Sequence, residues 1–353
     1  MVNRPQSATI AVVDGEGVGP SIIDAALEVL SSALDATGRR VDVRRLPALT
    51  ERDEYGLTLG PVAADFYRDV FDNEIPILHG PAGGRFVYEL RHQFALSVKH
   101  TPIAPWTELA NVAIVDPSRM ARADILIVRD NSGGLYQGAF TEGSDSVGAS
   151  HSATYTVSQV ETILASAIAA ASERNQHLSV VIKPGGVPTI SRLWRATAER
   201  LVPDSIELDF VEIDNACFQV LADPDRFDVI ATPNMFGDVL GDTATALLGS
   251  RGMAYSANFG VDGRAVYQTA HGAAHDLADR DLANPIAQIL SLAWLLRESL
   301  GMAEEADIIV AAVRHEVTAG VRTPDIGAEG SMIVGTRRFA GRVSEQIAAG
   351  RVG

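Results

Sequence analysis

A short β-branched run, Thr9 to Val13, is followed at once by a turn that holds Gly15, Gly17, Gly19 and Pro20. The residues after Pro20, SIIDAALEVLSSAL, place apolar side chains at helical spacing. Proline is favoured in the first turn of a helix, because the N–H groups of that turn have no acceptor inside the helix. The segment therefore predicts a strand, a glycine turn and a helix, a building unit of α/β folds.

Strand-like apolar runs recur along the chain and alternate with helical stretches. The helical stretches include Val157 to Ala171 and Pro285 to Leu300. The strand-like runs are Ile75 to Leu78, Val112 to Val115, Ile125 to Val128, Val180 to Ile182 and Val229 to Ala231. Such alternation indicates an α/β chain with an extensive parallel or mixed sheet.

The glycine turn looks like a nucleotide-binding turn, but its spacing differs. Its glycines alternate as G-x-G-x-G, whereas the dinucleotide fingerprint requires G-x-G-x-x-G and an acidic residue after a second strand. No acidic residue is clearly placed for that role. We therefore expect a fold that is not a standard Rossmann fold.

An acidic pair stands in the stretch NMFGDVLGD, directly after the strand-like FDVIATP. If a helix begins after Pro233, Asp238 and Asp242 are about one turn apart on the same face. Neighbouring carboxylates repel each other unless a cation lies between them, so the pair is a candidate ligand set for a hard divalent ion. Asp214 is a third candidate ligand. The alternative is a solvated acidic face.

A second candidate nucleotide loop is HGAAHD, His271 to Asp276, which precedes Asn284, Pro285 and an apolar helix. Small residues let a backbone approach a ligand closely, and the Asp276 carboxylate can accept hydrogen bonds from both hydroxyls of a ribose. The same carboxylate would repel a 2′-phosphate, which favours NAD over NADP. Taken alone, the stretch is equally well explained as a tight loop with a helix cap.

The net charge of the chain limits its partners. It has 29 Lys and Arg against 45 Asp and Glu, and 29 − 45 gives −16. An acidic chain has no general attraction for nucleic acid or for an anionic membrane surface, so both are excluded as partners. The single cysteine, Cys217, excludes a disulfide framework and reads as a small packed hydrophobe. Together with an N-terminal segment that lacks a long apolar stretch, it leads us to expect a cytoplasmic protein.

An anionic ligand would need a local cluster of positive charge, and the sequence contains one. Its members are Arg85, Arg91, His92, Lys99 and His100, and Arg129 follows the strand-like ILIV. Guanidinium groups form bidentate pairs with carboxylates, so a polycarboxylate substrate fits this cluster. The alternative for each of these residues is a surface salt bridge.

Taken together and in this order, the segments resemble the β-decarboxylating dehydrogenases, which include isopropylmalate, isocitrate, homoisocitrate and tartrate dehydrogenases. The similarity covers nearly the whole chain, through DGEGVGP, VRDNSGGLYQG, NMFGDVLGD, HGAAHDLADRDLANP and TPDIG. The resemblance implies a two-domain α/β fold with a mixed sheet, distinct from the standard Rossmann fold. It also implies a homodimer whose active sites are shared between subunits.

The resemblance further implies how the chain divides. Residues 1–97 and 255–353 would form a first, cofactor-side domain, and residues 98–254 a second domain for dimerisation and metal binding. The polar, Gly- and Ser-rich stretch at about 137–154 matches the arm that family members use in dimer contact. A flexible loop is the other interpretation of that stretch.

By resemblance, each motif position carries a role. Tyr136 and Lys183 match the catalytic tyrosine and lysine, and Arg91 and Arg129 match two arginines that bind substrate carboxylates. The residues that match the Mg²⁺ or Mn²⁺ site are Asp238, Asp242 and, from the partner subunit, Asp214. The residues that match the adenosine side of the NAD site are His271, Gly272, Ala273, Ala274, His275, Asp276 and Asn284.

Two departures from the pattern concern the substrate. The family has a third arginine in the motif L-R-x-x-x-x-L-x-x-x-x-R-P, and here Thr101 occupies its position, with Lys99 or His100 as the candidate replacement. The shortened loop before Arg91 contains Arg85 and Tyr88, which do not fit a leucine-lined pocket. We therefore expect a 3-substituted malate, a polyanionic 2-hydroxy acid, whose extra carboxylate or phosphonate meets Arg85.

The expected activity is oxidative decarboxylation of such an acid with NAD and a divalent metal ion. Isopropylmalate, isocitrate, homoisocitrate and tartrate stay open as alternative substrates. A regulatory or binding paralogue without turnover is the alternative function, and Thr101 in place of an arginine is the observation that favours it.

Overall fold

The computed structural model describes residues 8–46, 49–141 and 148–350. In chain order the strands are β1 (Ala8–Val13), β2 (Val41–Leu46), β3 (Arg52–Asp53), β4 (Gly56–Leu57), β5 (Ile77–His79), β6 (Val98–Ile103), β7 (Ile125–Asp130), β8 (Phe140–Thr141), β9 (Ser150–His151), β10 (His177–Ile182), β11 (Glu207–Glu212), β12 (Val229–Thr232), β13 (Tyr255–Phe259), β14 (Ala265–Thr269), β15 (Val321–Arg322) and β16 (Met332–Ile333). The helices are α1 (Gly19–Thr37), α2 (Pro61–Asp72), α3 (Phe86–Gln93), α4 (Pro117–Met120), α5 (Val157–Ser172), α6 (Pro188–Leu201), α7 (Ile213–Ala222), α8 (Asn234–Ala244), α9 (Ile286–Glu298), α10 (Ala303–Thr318) and α11 (Thr336–Ala348).

The chain forms two compact units, each built from segments that are distant in sequence. Unit 1 contains Met1–Val87, Gly249–Ala257 and Gly263–Gly353. Unit 2 contains Tyr88–Leu248 and Asn258–Asp262. Helix α3 and strand β13 each contribute residues to both units.

Unit 1 contains parallel strands in the order β2–β1–β5–β14. Helix α1 follows β1 as the sequence predicts, with Pro20 in its first turn, and it ends at Thr37 with Gly38 as its C-cap, which adopts φ of 69°. Helix α9 is buried around most of its circumference, since ten of its residues from Ile286 to Leu296 are buried. A helix that is apolar on all sides requires packing on all sides, so α9 belongs to the core of this unit.

Unit 2 contains the strand order β11–β10–β12–β7–β6, in which only β6 is antiparallel to its neighbour. The predicted α/β class with a mixed sheet is therefore confirmed. The core includes Trp194 of α6 and Leu164 of α5. Helix α5 begins with a capping box, in which Gln159 N–H donates to Thr156 Oγ1 at 3.2 Å and Thr156 N–H donates to Gln159 Oε1 at 2.8 Å.

The prediction of a strand at Val112 to Val115 is wrong. Thr107–Val112 form a 3₁₀ turn, and the side chain of Ile114 is 72% exposed. A four-residue apolar run does not by itself distinguish a strand from an exposed connection. β7 pairs on one side with β12 and on the other with β6, VKHTPI, which the sequence analysis did not predict as a strand because it contains polar residues.

The stretch expected to form an arm is partly described. Phe140–Thr141 pair in antiparallel fashion with Ser150–His151, and residues 142–147 of the predicted arm lie outside the described residues. Among the residues that the structure describes, no helix is long and apolar enough to cross a membrane.

Candidate active site

Arg129 lies near the end of β7 and organises the centre of unit 2. Its side chain is 4% exposed, its Nε and Nη2 groups donate to Asn234 Oδ1 at 3.1 and 2.8 Å, and Nη1 donates to Asp238 Oδ1. Gly237 lets helix α8 approach this guanidinium, because a Cβ there would stand 2.8 Å from Arg129 Cγ and 2.5 Å from Thr232 Cγ2. The helix predicted after Pro233 is thus observed and is fixed against β7.

Tyr136 shares the Asp238 carboxylate with Arg129. Its hydroxyl donates to Asp238 Oδ2 at 3.0 Å, and its ring lies edge-on to Tyr88 with centroids 5.4 Å apart. Burial, followed by the negative charge of Asp238, raises the pKa of Tyr136 to about 12. Burial alone would raise the pKa of Asp238, but the positive charges of Arg129 and Lys99 lower it overall. The pair therefore consists of a protonated phenol and an ionised carboxylate at neutral pH.

Two further cations lie buried beside this group. Arg91 and Lys99 are each 8% exposed, and neither has a hydrogen bond or an ion pair among the described residues. Burial, followed by the charge of Arg129, lowers the pKa of Arg91 to about 9. Burial, followed by the charges of Arg91 and Arg129, lowers the pKa of Lys99 to about 7. Arg91 therefore stays charged at neutral pH while Lys99 is about half protonated, and a bound anion would favour the charged form of both.

The side chains of Lys99 and His100, which are neighbours in β6, point to opposite faces of the sheet. Side chains alternate between the two faces of a strand, so Lys99 and Thr101 share one face and His100 takes the other. His100 Nε2 is 2.8 Å from Ser166 Oγ of α5, and its ring lies edge-on to Phe259 at 5.2 Å between centroids. Lys99 stands directly opposite Arg129 in the antiparallel pairing of β6 and β7.

Lys183 and Asp214 contact each other at the ends of neighbouring elements. Lys183 follows β10, and its Nζ donates to Asp214 Oδ1 at 2.6 Å and to Glu212 Oε2 at 2.7 Å. The hydrogen bond to Asp214 contributes most to raising the pKa of Lys183, and the bond to Glu212 contributes next. The same bond from Lys183 lowers the pKa of Asp214. Both side chains are accessible to solvent.

The three predicted metal ligands do not form one cluster within a single chain. Asp238 and Asp242 lie about one turn apart on α8, and the residues described contain no group of three or more His, Cys, Asp or Glu side chains placed to hold a metal ion. Carboxylate oxygens are suitable donors for Mg²⁺ or Mn²⁺, and two of them on one helix face are a partial ligand set. The predicted metal site stays a prediction.

Sequence reasoning missed a layer of side chains that holds these residues in place. Asn234 Nδ2 donates to Gly133 O at 2.9 Å while Asn234 Oδ1 accepts from Arg129, and the Asn234 N–H donates to Tyr155 Oη at 2.8 Å. The Asp130 carboxylate accepts the N–H groups of Ser132 and Gly133, both at 2.9 Å. A Cβ on Gly134 would stand 2.3 Å from Tyr155 Oη. The sequence signal for this layer was the Asn and Gly content of the motifs VRDNSGGLYQG and NMFGDVLGD.

Unit 1 contains a pocket of about 340 Å³. It is lined by Val18, Ser250, Arg251, Gly252, His271, Gly272, Ala274, Leu277, Leu282, Ala283, Asn284 and Asp325. Burial lowers the pKa of His271, and its Nε2 is buried without a hydrogen-bond partner in the described chain, while Nδ1 lies 2.9 Å from Gly272 O. A neutral imidazole bonded in this way presents Nε2 as an acceptor.

The glycine turn between β1 and α1 packs against this pocket. The Val18 N–H donates to Ala273 O at 2.9 Å, and a Cβ on Gly17, whose φ is +57°, would stand 2.0 Å from the same oxygen. Of the predicted cofactor residues, four line the pocket: His271, Gly272, Ala274 and Asn284. Ala273 is buried under Gly17, whereas His275 and Asp276 are exposed in a short 3₁₀ turn.

Asn284 connects the pocket to two other segments that the sequence did not associate with it. Asn284 Oδ1 accepts the Ile286 N–H at 2.9 Å at the start of α9, and its Nδ2 donates to Asp325 Oδ2 at 3.1 Å. Ser250 donates to the same Asp325 oxygen. Arg85 also belongs to unit 1, where it is half-buried, and its predicted contact with substrate stays a prediction.

A family model described as isocitrate/isopropylmalate dehydrogenase matches residues 9–343 of the chain. The chain belongs to this family. A 3-isopropylmalate dehydrogenase of Halalkalibacterium halodurans is 33% identical over 96% of this chain and 98% of its own length. One of Rhodopirellula baltica is 34% identical over 97% of this chain and 100% of its own length.

The solved structures agree with the family assignment. The crystal structure of isocitrate dehydrogenase from Methylococcus capsulatus has a TM-score of 0.82 and 29% identity, covering 97% of this chain and 99% of that one. The predicted membership of the isocitrate/isopropylmalate dehydrogenase family is therefore confirmed, and with it the predicted fold and the enzyme class, a dehydrogenase.

Proposed function

We propose that this chain is an NAD- and divalent-metal-dependent dehydrogenase that oxidises and decarboxylates a 3-substituted malate. The observation that carries the proposal is the buried group of Arg91, Lys99 and Arg129 beside the Asp238 carboxylate and the Tyr136 hydroxyl. Uncompensated buried cations require an anionic partner, because an ion removed from water is costly unless it is paired. A small polycarboxylate supplies that partner.

In this proposal the cations bind and orient the substrate. Arg129 is held by Asn234 and Asp238, so its guanidinium is fixed before an anion arrives. Arg91 and Lys99 have no hydrogen-bond or ion-pair partner among the described residues and are available to carboxylate oxygens, while the Arg91 guanidinium lies 6.0 Å from the centre of the Tyr88 ring. Preorganised cations in a buried site lower the cost of orienting the substrate for reaction.

Tyr136 is the proposed proton donor. Its pKa of about 12 keeps the phenol protonated at neutral pH, and it already donates to Asp238. After decarboxylation the product requires a proton on carbon, and a protonated phenol beside the bound acid supplies it. Lys183 is the proposed group that helps to remove the proton of the substrate hydroxyl.

The residues of unit 1 fit the adenosine part of NAD. Gly272 leaves open space where a Cβ would stand, Ala274 lines the pocket, and the unpartnered Nε2 of His271 offers an acceptor. The exposed Asp276 carboxylate is the proposed acceptor for ribose hydroxyls, and it favours NAD over NADP by charge repulsion. When bound, NAD accepts a hydride and the divalent ion polarises the substrate hydroxyl and stabilises negative charge.

We also propose that the enzyme is a homodimer that shares its metal ligands. Asp238 and Asp242 would hold Mg²⁺ or Mn²⁺ together with Asp214 of the other subunit. Since Lys183 contacts Asp214 within one chain, the same subunit would deliver both groups to the shared site. Exposed apolar side chains on α7 and α8, Phe218 at 66% and Val239 at 51%, support this surface as the contact between subunits.

The substrate substituent, the role of Arg85 toward an extra carboxylate or phosphonate, and a cytoplasmic location belong to the same proposal. A regulatory paralogue without turnover is the second candidate, and Thr101 in place of the family's arginine is the observation that favours it. The two candidates differ in one measurable property, since only the first forms NADH.

The decisive experiment is a substrate screen with the full chain. Malates substituted at C3, including isopropylmalate, isocitrate, homoisocitrate, tartrate and phosphonate-bearing analogues, are incubated with NAD⁺ and Mg²⁺ or Mn²⁺, and NADH absorbance is followed. We expect turnover with at least one member and none after chelation of the metal. Tight binding of these acids without NADH formation by any of them would establish the regulatory candidate instead.

A further inference from the structure

Lys99 is the buried cation of unit 2 that the established family pattern does not explain. It lies on β6, it is 8% exposed, and it has no hydrogen bond or ion pair among the described residues. The long apolar stem of a lysine usually lets its ammonium reach water. Here the side chain is enclosed instead, so its charge faces protein groups and any bound ligand.

The charges around Lys99 define what kind of ligand it can meet. Its electrostatic neighbours are Arg91 and Arg129, which repel it, and Asp238 and Asp242, which attract it. Asp238 is already engaged by Arg129 and Tyr136. Asp242 attracts the ammonium without forming an ion pair with it among the described residues. The ammonium therefore stands next to two guanidinium groups, an arrangement that an anion shared among the three cations would stabilise.

The pairing of β6 with β7 shows which side chains lie next to Lys99. It is directly opposite Arg129 in the β6–β7 ladder, while Thr101 is opposite Ile127. Neighbours across an antiparallel pair have Cβ atoms about 5 Å apart, so the Lys99 and Arg129 side chains leave the sheet side by side. His100 leaves from the opposite face, where Ser166 and Phe259 enclose it.

We infer that Lys99, and not His100, is the specificity-determining cation that binds a substrate carboxylate in place of an arginine at position 101. Its ammonium provides a compact point charge beside Arg129, whereas an arginine at 101 would provide a planar fork from two residues further along β6. The side chain of Thr101 is shorter than that of arginine, so space beside the bound acid remains for a larger substituent. This inference rests on the proposed function.

The test uses Lys99→Met, which keeps the length of the side chain and removes its charge. With the malate derivative that the wild-type enzyme turns over best, we expect KM to rise about 30-fold or more. We expect kcat to change less than KM, because Lys99 binds the acid and transfers no proton. Titration of the protein and Mn²⁺ with the same acid, without NAD⁺, should show the same loss of affinity by calorimetry.

Relocating the cation provides the sharper arm of the experiment. Thr101→Arg introduced into the Lys99→Met variant restores a cation to the same face of β6, and we expect most of the lost affinity to return. His100→Gln is the matched control at the intervening position, and we expect its KM to stay within about twofold of wild type, since the other face of the sheet does not meet the ligand.

Each outcome separates this inference from the proposed function. If wild-type enzyme turns over a malate but Lys99→Met leaves KM unchanged, the role of Lys99 is wrong and the proposed function stands. A rise of KM in His100→Gln that equals the rise in Lys99→Met would also overturn the inference. A fall of kcat in Lys99→Met at unchanged KM would assign Lys99 to proton transfer. If wild type turns over no acid in the screen, it is the proposed function that fails.

Discussion

The two units hold their candidate sites by different physical means. In unit 2 the site consists of buried charges from several distant segments, with Arg129 bonded to Asn234 and Asp238, and with Arg91 and Lys99 left to meet an anion. In unit 1 the pocket is lined mainly by small and apolar residues, together with the imidazole of His271 and the charged side chains of Arg251 and Asp325. The geometry of a buried charged site depends on the positions of individual charged atoms. The shape of a pocket formed by backbone depends on small residues, which leave room where larger side chains would stand.

This contrast explains why the same kind of substitution has different expected effects in the two units. Removing a charged group in unit 2 leaves its partners buried without compensation, which is among the most costly changes in a protein interior. Adding a methyl group in unit 1 moves a loop without exposing any charge. The first change should impair chemistry and stability together, and the second should impair one binding step.

The largest expected effect is that of Arg129→Met. It removes three hydrogen bonds, to Asn234 and Asp238, and we expect kcat/KM to fall about 10³-fold. Unfolding free energy should fall by about 2 kcal/mol, less than for a fully buried pair because the Asp238 side chain is 41% exposed. Steady-state kinetics and urea unfolding measure both quantities.

Arg122→Met is the matched control in the same unit. Its ion pair with Asp225 has an N–O distance of 3.0 Å between side chains that are 49% and 40% exposed. Exposed pairs contribute about 0–1 kcal/mol, so stability and activity should stay near wild type. Equal losses in the two variants would contradict the special position of Arg129.

The next effect in size is that of Tyr136→Phe. We expect kcat to fall about 10²-fold with KM nearly unchanged, because the ring packing with Tyr88 persists while the proton is lost. Product analysis should show that loss of CO₂ continues and protonation slows. A fall confined to KM would contradict the role of Tyr136 as proton donor and reduce it to a substrate-binding group.

The smallest effect tests unit 1. Gly17→Ala places a Cβ 2.0 Å from Ala273 O, so the loop from His271 to Asp276 must move. We expect the dissociation constant of NADH, measured by fluorescence titration, to rise about tenfold, while affinity for the acid hardly changes. The matched control is Gly38→Ala, which has a similar positive φ of +69° but no atom within 4 Å. If both variants weaken NADH equally, backbone strain alone is the cause and the packing of Gly17 is irrelevant.

Much of the fold followed from local patterns in the sequence. The runs at Ile125 to Val128 and Val180 to Ile182 lie within observed strands, and the stretch Val157 to Ala171 is helix α5. These segments are regular because their apolar periodicity, caps and tertiary positions agree. The prediction of a strand at Val112 to Val115 was wrong because burial in a sheet depends on neighbours that lie far away in sequence.

The candidate site was likewise predictable from the sequence in part. Motif order identified Arg91, Arg129, Tyr136 and Asp238 as a group, and the structure brings Arg129, Tyr136 and Asp238 into direct contact. The sequence did not indicate Tyr155 or Asp130, because their partners include backbone N–H groups whose positions depend on how two loops meet. Buried hydrogen bonds of that kind follow from packing and have no signature in local composition.

By itself, the sequence determined the family, the α/β class and the residue types that meet at the site, since these depend on motif order and periodicity. It left Lys99 and His100 as equal candidates for the missing arginine. Only the tertiary structure decided between their environments, because the pairing of β6 with β7 sets Lys99 opposite Arg129 and encloses His100 against Ser166. A single step along a strand reverses the face on which a side chain lies, and the partner strands and helices decide which face meets a ligand.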